Sequence, residues 1–167
     1  LKKRVKNCFE AGALASGCEV EIQWALGDYL EIKDCWPIAE RYKANAESLG
    51  RSFFPLEKVP TTGAGSTDMG NVSHRVPSIH PMISCAPPHV VIHNPEFAKY
   101  AGSETGDAAV LDGAKALAMT AIDLMTDDQL MSDARDQFAQ TADLSAKAVA
   151  QAWHGDGDAT LGGCGCC

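Results

Sequence analysis

No run of apolar residues in this 167-residue chain is long enough to span a bilayer, so a membrane partner is not expected. A basic stripe is missing too. Fourteen Lys and Arg stand against 22 Asp and Glu, for a net charge of −8. Without clustered cations to neutralise phosphates, nucleic-acid binding is not expected either. The surplus is local: residues 101–167 hold three basic and eleven acidic side chains, whereas earlier segments balance. That pattern reads as a solvated acidic face. No internal repeat is evident. The seven cysteines are odd in number and have no framework spacing. Cys8, Cys18, Cys35 and Cys85 lie in apolar surroundings and are expected to be small buried hydrophobes of a reducing, cytoplasmic compartment. Cys164-Gly-Cys-Cys167 is dense in thiols but has no second ligand cluster. The first residue is leucine, with a helical pattern already under way.

What is present gives one ordinary core. Val5, Cys8, Phe9, Gly12, Ala13 and Ser16 recur along one face of a helix, and Gly17 suits its left-handed end. Cys18, Val20, Ile22 and Trp24 alternate with polar residues, as in a half-buried strand. Asp34 is expected to cap a second helix to Leu49, with Ile38, Tyr42, Ala46 and Leu49 inward and Gly50 after it. Residues 51–62 read as loop. Short strands are expected over 78–85 and 89–93. Ser103 opens a long helix through Met125, with Val110, Leu111, Ala114, Leu117, Ala118, Ala121, Ile122 and Met125 as the stripe that faces a sheet. Thr126-Asp-Asp-Gln129 reads as a capping box for a last helix to Trp153.

Two motifs carry chemistry. Gly63-Ala-Gly-Ser-Thr-Asp-Met-Gly-Asn-Val-Ser73 joins glycines, which let backbone approach a ligand, to a carboxylate, an amide and hydroxyls. Ile92-His-Asn-Pro-Glu-Phe97 puts His93 at the end of the apolar run Val90-Val91-Ile92. Such an imidazole is either a metal ligand or catalytic group, or a strand-end side chain bonded to backbone. His74 and His80 read as surface or strand-edge residues and His89 as loop. Glu96 could hydrogen-bond His93.

From about Val5 to Asp127 the chain resembles the co-catalytic metallo-amidohydrolases: aminoacylases, carnosine-type dipeptidases and p-aminobenzoyl-glutamate hydrolases, closest to the dipeptidase-like branch. Four blocks carry the resemblance: Val5 to Cys18, Gly65 to Ser73, His93-Asn-Pro-Glu-Phe97, and Asp112 to Thr120. It implies an α/β fold, the C-terminal part of a zinc-exopeptidase-like catalytic domain after the last helix and strand of a ferredoxin-like lid. Residues 1–32 would be the lid remnant, 33–153 the catalytic part and 154–167 a disordered tail.

By the same resemblance His93 falls on the last metal ligand of a site for two zinc-type ions, with cobalt or manganese as alternatives. Gly63, Gly65, Ser66, Asp68, Asn71 and Ser73 would line the carboxylate end of the substrate, Asp68 by capping the loop or orienting a neighbour. The lid would make a homodimer, and the substrate would be a dipeptide or N-acyl amino acid. The pattern is incomplete. No Glu-Glu pair offers the general base, and His154-Gly-Asp156 has ligand-like spacing but lies in a glycine-rich tail. This chain alone is therefore expected to be inactive. The alternative is a non-catalytic fragment or degenerate copy that acts as an association module.

Overall fold

The computed structural model describes residues 1–24, 27–55 and 67–153, the last without its side chain. The expected tail from residue 154 lies outside the described residues. The chain divides into two compact units, one of Leu1–Asp28 with the chain from Ala150, the other Tyr29–Val149.

In the first unit α1 (Lys2–Ser16) ends as its sequence predicts: Gly17 takes φ 69°, and its N–H closes on the last turn. A residue with a Cβ would strain there. Lys2 Nζ stands 4.8 Å from the Trp24 ring centre and 3.5 Å from Asp28. The Asp28 N–H donates to the Ala152 carbonyl at 3.2 Å. α1 buries no residue, so its apolar stripe is uncovered, with Phe9 56% exposed. Residues 18–24 do not form the expected strand, because an alternating segment without a neighbour has no ladder to join.

The second unit is helical: α2 (Trp36–Ser48), α3 (Met69–Ser73), α4 (Pro95–Ala101), α5 (Glu104–Thr126), α6 (Asp128–Ala139) and α7 (Ala142–Trp153), whose last turn belongs to the first unit. The described residues are thus mostly helical and contain no strand. The runs 78–85 and 89–93 are extended or turning backbone. One parallel bridge joins Asp34 to Ser78, with the Cys35 N–H donating to the Ser78 carbonyl at 3.0 Å. Both runs were expected as short strands; without further partner strands among the described residues they do not form a sheet.

α2 packs on α5 and α6. Ile38, Tyr42 and Ala46 are buried as the spacing predicts, but Cys35 rather than Asp34 holds the cap position. Burying such apolar side chains contributes about 1.5–3 kcal/mol for the larger ones. Ile79 touches both core clusters, Cys35–Ile38–Ala134 and Tyr42–Ala46–Ala116. Phe53 meets Tyr42 edge-on at 6.4 Å.

The face that α5 buries differs from the expected one. Gly106, Ala109, Ala116 and Thr120 are inside, because their small size lets the helices approach closely. The larger stripe is outward, with Val110 70%, Leu117 50% and Met125 74% exposed. α5 therefore has two apolar faces, and this unit covers the small-residue one.

The expected single last helix is two. Its cap is Asp127 rather than Thr126, its carboxylate accepting from Gln129 N and Leu130 N. The helix breaks around Gln140 and Thr141 before α7. Polar ties fix the helices: Arg41 reaches Asp127 at 2.9 Å and Asp123 at 3.5 Å, and Asn45 donates to Thr120 and Asp123. Arg51 pairs with Asp112 at 2.7 Å and donates to the Ser84 carbonyl. Of the cysteines, Cys35 is buried, Cys85 half-buried, and Cys8 and Cys18 exposed. The last two lie on α1, which buries no residue, and just after it, so the expectation of burial fails for them. Burial pushes the Cys35 thiol up from its ordinary value.

Candidate functional site

His93 sits not at a strand end but in the turn that leads into α4. Its backbone has φ 64°, and it is the one described non-glycine residue with positive φ. Its imidazole is exposed and has no hydrogen-bond partner among the described residues. The next residues explain the turn. Asn94 is the N-cap of α4, extended at φ −138° and ψ 164° as a residue before proline prefers, and Pro95 opens the helix. Asn94 Oδ1 accepts from the N–H of Glu96 at 2.8 Å and of Phe97 at 3.1 Å, while Nδ2 donates back to the Val91 carbonyl. The Glu96 side chain is exposed and makes no hydrogen bond with His93.

The second motif opens α3. Gly63, Gly65 and Ser66 lie outside the described residues. Asp68 is exposed and occupies the cap position, but its side chain makes no cap bond. Thr67 supplies that contact through its hydroxyl oxygen, which accepts from Met69 N at 3.3 Å, while its hydroxyl donates to Asp68 Oδ1 at 3.2 Å.

Beyond Asp68 the motif turns inward and grips residues 30–33. Gly70 packs so closely that a Cβ there would lie 1.8 Å from the Leu30 carbonyl oxygen. Asn71 Oδ1 accepts from Leu30 N at 3.0 Å. Ser73 is fully buried; its hydroxyl accepts from Lys33 N at 2.9 Å and donates to the Gly70 carbonyl at 2.7 Å. His74 is buried rather than on the surface. Its Nε2 lies 3.2 Å from the Glu31 carbonyl, and its Nδ1 is buried with no partner among the described residues. Ser73 thus reaches any ligand only through the backbone it fixes, whereas the carboxylate of Asp68 is open.

His80 and His89 are both exposed. Among the described residues no three His, Cys, Asp or Glu side chains group closely enough to hold a metal ion. The donor chemistry at His93 fits one imidazole ligand of such a site, and the described residues bring no further donors to it. Sequence reasoning missed the Asn94 cap, although Asn-Pro-Glu is a helix-start signature. It missed the burial of His74, for which the sequence has no signal.

No family model matches the chain. Over 138 residues, 83% of the chain, it is 37% identical to the human (Homo sapiens) protein named Xaa-Arg dipeptidase and 36% identical to the mouse (Mus musculus) protein of that name. This similarity to two dipeptidases supports the dipeptidase-like resemblance carried by the four sequence blocks. It spans 31% of the human protein's length and 32% of the mouse protein's.

Proposed function

We propose that this chain is part of a metal-dependent hydrolase that cleaves dipeptides, with His93 as one metal ligand and the segment from Gly63 to Ser73 at the carboxylate end of the substrate. The observation that carries the reading is the 37% identity over 138 residues to a protein named Xaa-Arg dipeptidase. An exposed imidazole without a partner among the described residues, in a pinned turn, fits a ligand. When bound, divalent ions of this class polarise a scissile carbonyl and activate water. Zinc is the first choice of metal, with cobalt or manganese as substitutes.

The residues of this chain have three tasks. His93 offers a lone pair. Gly70, Asn71 and Ser73 hold α3 against residues 30–33 and so fix where the preceding loop ends. Asp68 offers a carboxylate to solvent. A dipeptide with arginine second carries a guanidinium, which a carboxylate binds by charge-assisted hydrogen bonds. The exposed carboxylate of Asp68 suits that contact, and a basic side chain offsets the repulsion that a lone substrate carboxylate would meet.

The wider reading keeps the α/β catalytic domain with a ferredoxin-like lid, homodimer formation through that lid, and a cytoplasmic location. No helix among the described residues is long and apolar enough to cross a membrane. The uncovered apolar face of α5 supports a larger catalytic domain. It supports equally the second reading, an association module without catalysis.

The test is hydrolysis of Xaa-Arg dipeptides by the complete gene product with zinc, cobalt or manganese and with a chelator. Chelator-sensitive turnover is expected, and the 167-residue chain alone is expected to have none. Absence of turnover in the complete product under every metal would leave the association module as the better reading.

A further inference from the structure

We infer that Asn94 is the positioning residue for His93, its side chain closing the backbone on both sides of the histidine and so setting the direction in which the imidazole is offered. The inference rests on reading His93 as a metal ligand.

Left-handed backbone is disfavoured for a residue with a Cβ and persists where its surroundings impose it. At His93 one side chain bonds the backbone on both sides. Nδ2 of Asn94 donates back to the Val91 carbonyl, three residues earlier, and Oδ1 accepts from Glu96 N and Phe97 N ahead. The turn before is closed as well, with Val90 N donating to the Pro87 carbonyl at 2.9 Å. Pro95 fixes its own φ and keeps Asn94 extended. His93 at φ 64° is the joint between these two closures. Releasing Asn94 would let His93 return to negative φ, a rotation that swings the Cα–Cβ bond and carries the imidazole away. A metal ligand depends on such outer support for its direction, and losing it typically costs 10–100-fold in affinity.

The experiment measures zinc affinity, by competition with a chromogenic chelator, and the melting temperature of the metal-free protein. Both are read on the complete gene product and on Asn94→Ala, Asn94→Ser, His93→Gly and the Asn94→Ala/His93→Gly double variant. Asn94→Ala is expected to weaken zinc about 10-fold or more, and Asn94→Ser, which can still cap, to recover most of it. In the His93→Gly background Asn94→Ala is expected to weaken zinc no further while still lowering the melting temperature. Should Asn94→Ala not fold, Asn94→Gly takes its place, since glycine removes both side-chain closures and costs little as an N-cap.

Parent-like zinc affinity in Asn94→Ala, with affinity lost in His93→Gly, overturns the positioning role and leaves the ligand reading standing. An equal loss from Asn94→Ala in both backgrounds also overturns it, because the effect would not pass through His93. Parent-like affinity in His93→Gly removes the ligand reading and the inference with it.

Discussion

Arg41 and Asp127 meet at 2.9 Å through one carboxylate oxygen, while the other oxygen of Asp127 caps α6 by accepting from Gln129 N and Leu130 N at 3.1 Å each. One side chain therefore joins α2 to the corner between α5 and α6 and starts α6. These backbone donors, Leu130 first, and Arg41 hold the Asp127 carboxyl below its ordinary value of 3.8. A folded-state value below the unfolded one stabilises the fold at pH above the unfolded value, and the benefit is lost as pH falls through the folded value. Asp127→Asn keeps a capping oxygen and removes the charge. Its melting temperature is expected to fall below the parent's at neutral pH, and the gap to close as the pH drops below about 4. A gap independent of pH would show that the charge adds nothing.

Ala116 is fully buried between α5 and α2, whereas Leu117, the next residue, is 50% exposed. Ala116→Leu is expected to destabilise the fold by about 1–3 kcal/mol through overpacking. Leu117→Ala should stay within about 0.5 kcal/mol. Denaturant unfolding of both variants checks the assignment of faces on α5, and the reverse order of effects would contradict it.

The outward stripe of α5 makes a different claim. Val110, Leu111, Leu117, Ile122 and Met125 are all exposed, and an apolar surface of this kind promotes association. The 167-residue chain is expected to form larger species as concentration rises, measured by light scattering. Replacing Leu117 and Ile122 together by lysine should reduce them at unchanged melting temperature. A parent chain that stays monomeric at every concentration would defeat this expectation.

These faces show what the sequence can and cannot convey. Helix starts and stops were readable where one residue decides them locally: Gly17 after α1, Ser103 before α5, and the Ile38–Tyr42–Ala46 stripe of α2. Which apolar face of α5 goes inward was not, because both faces carry apolar residues and only the identity of the neighbour chooses between them. Alternation at 18–24 signals a side preference, but a ladder needs a second strand. At the candidate site the residue types of His93 and Asp68 were legible. The left-handed turn and the grip of Ser73 on Lys33 depend on contacts that no local pattern encodes.

His93 and His89 lie four residues apart and are both exposed, which makes them a matched pair. In the complete gene product His93→Ala is expected to lower metal content per subunit and to cost turnover much more than apparent substrate affinity. His89→Ala should leave both intact. Metal analysis with steady-state kinetics decides. If His89→Ala is the variant that loses metal, the ligand has been placed on the wrong histidine.

On the proposed reading, Asp68 bears on the choice of substrate. Asp68→Asn is expected to raise KM for a dipeptide ending in arginine by about 10-fold or more, the range of a lost charge-assisted hydrogen bond, and to change KM little for one ending in alanine. Equal effects on the two substrates would assign the residue to the fold of its loop.

The fit of Gly70 against Leu30 has a use beyond this chain. A Cβ would come within 1.8 Å of a backbone oxygen, and backbone has nowhere to swing as a long side chain can. Alanine at position 70 must therefore displace the strip from Leu30 to Lys33. Any homologous sequence with a larger residue there should run that strip along another path. A single letter thus becomes a filter for deciding which distant relatives can be threaded onto this architecture without rebuilding it.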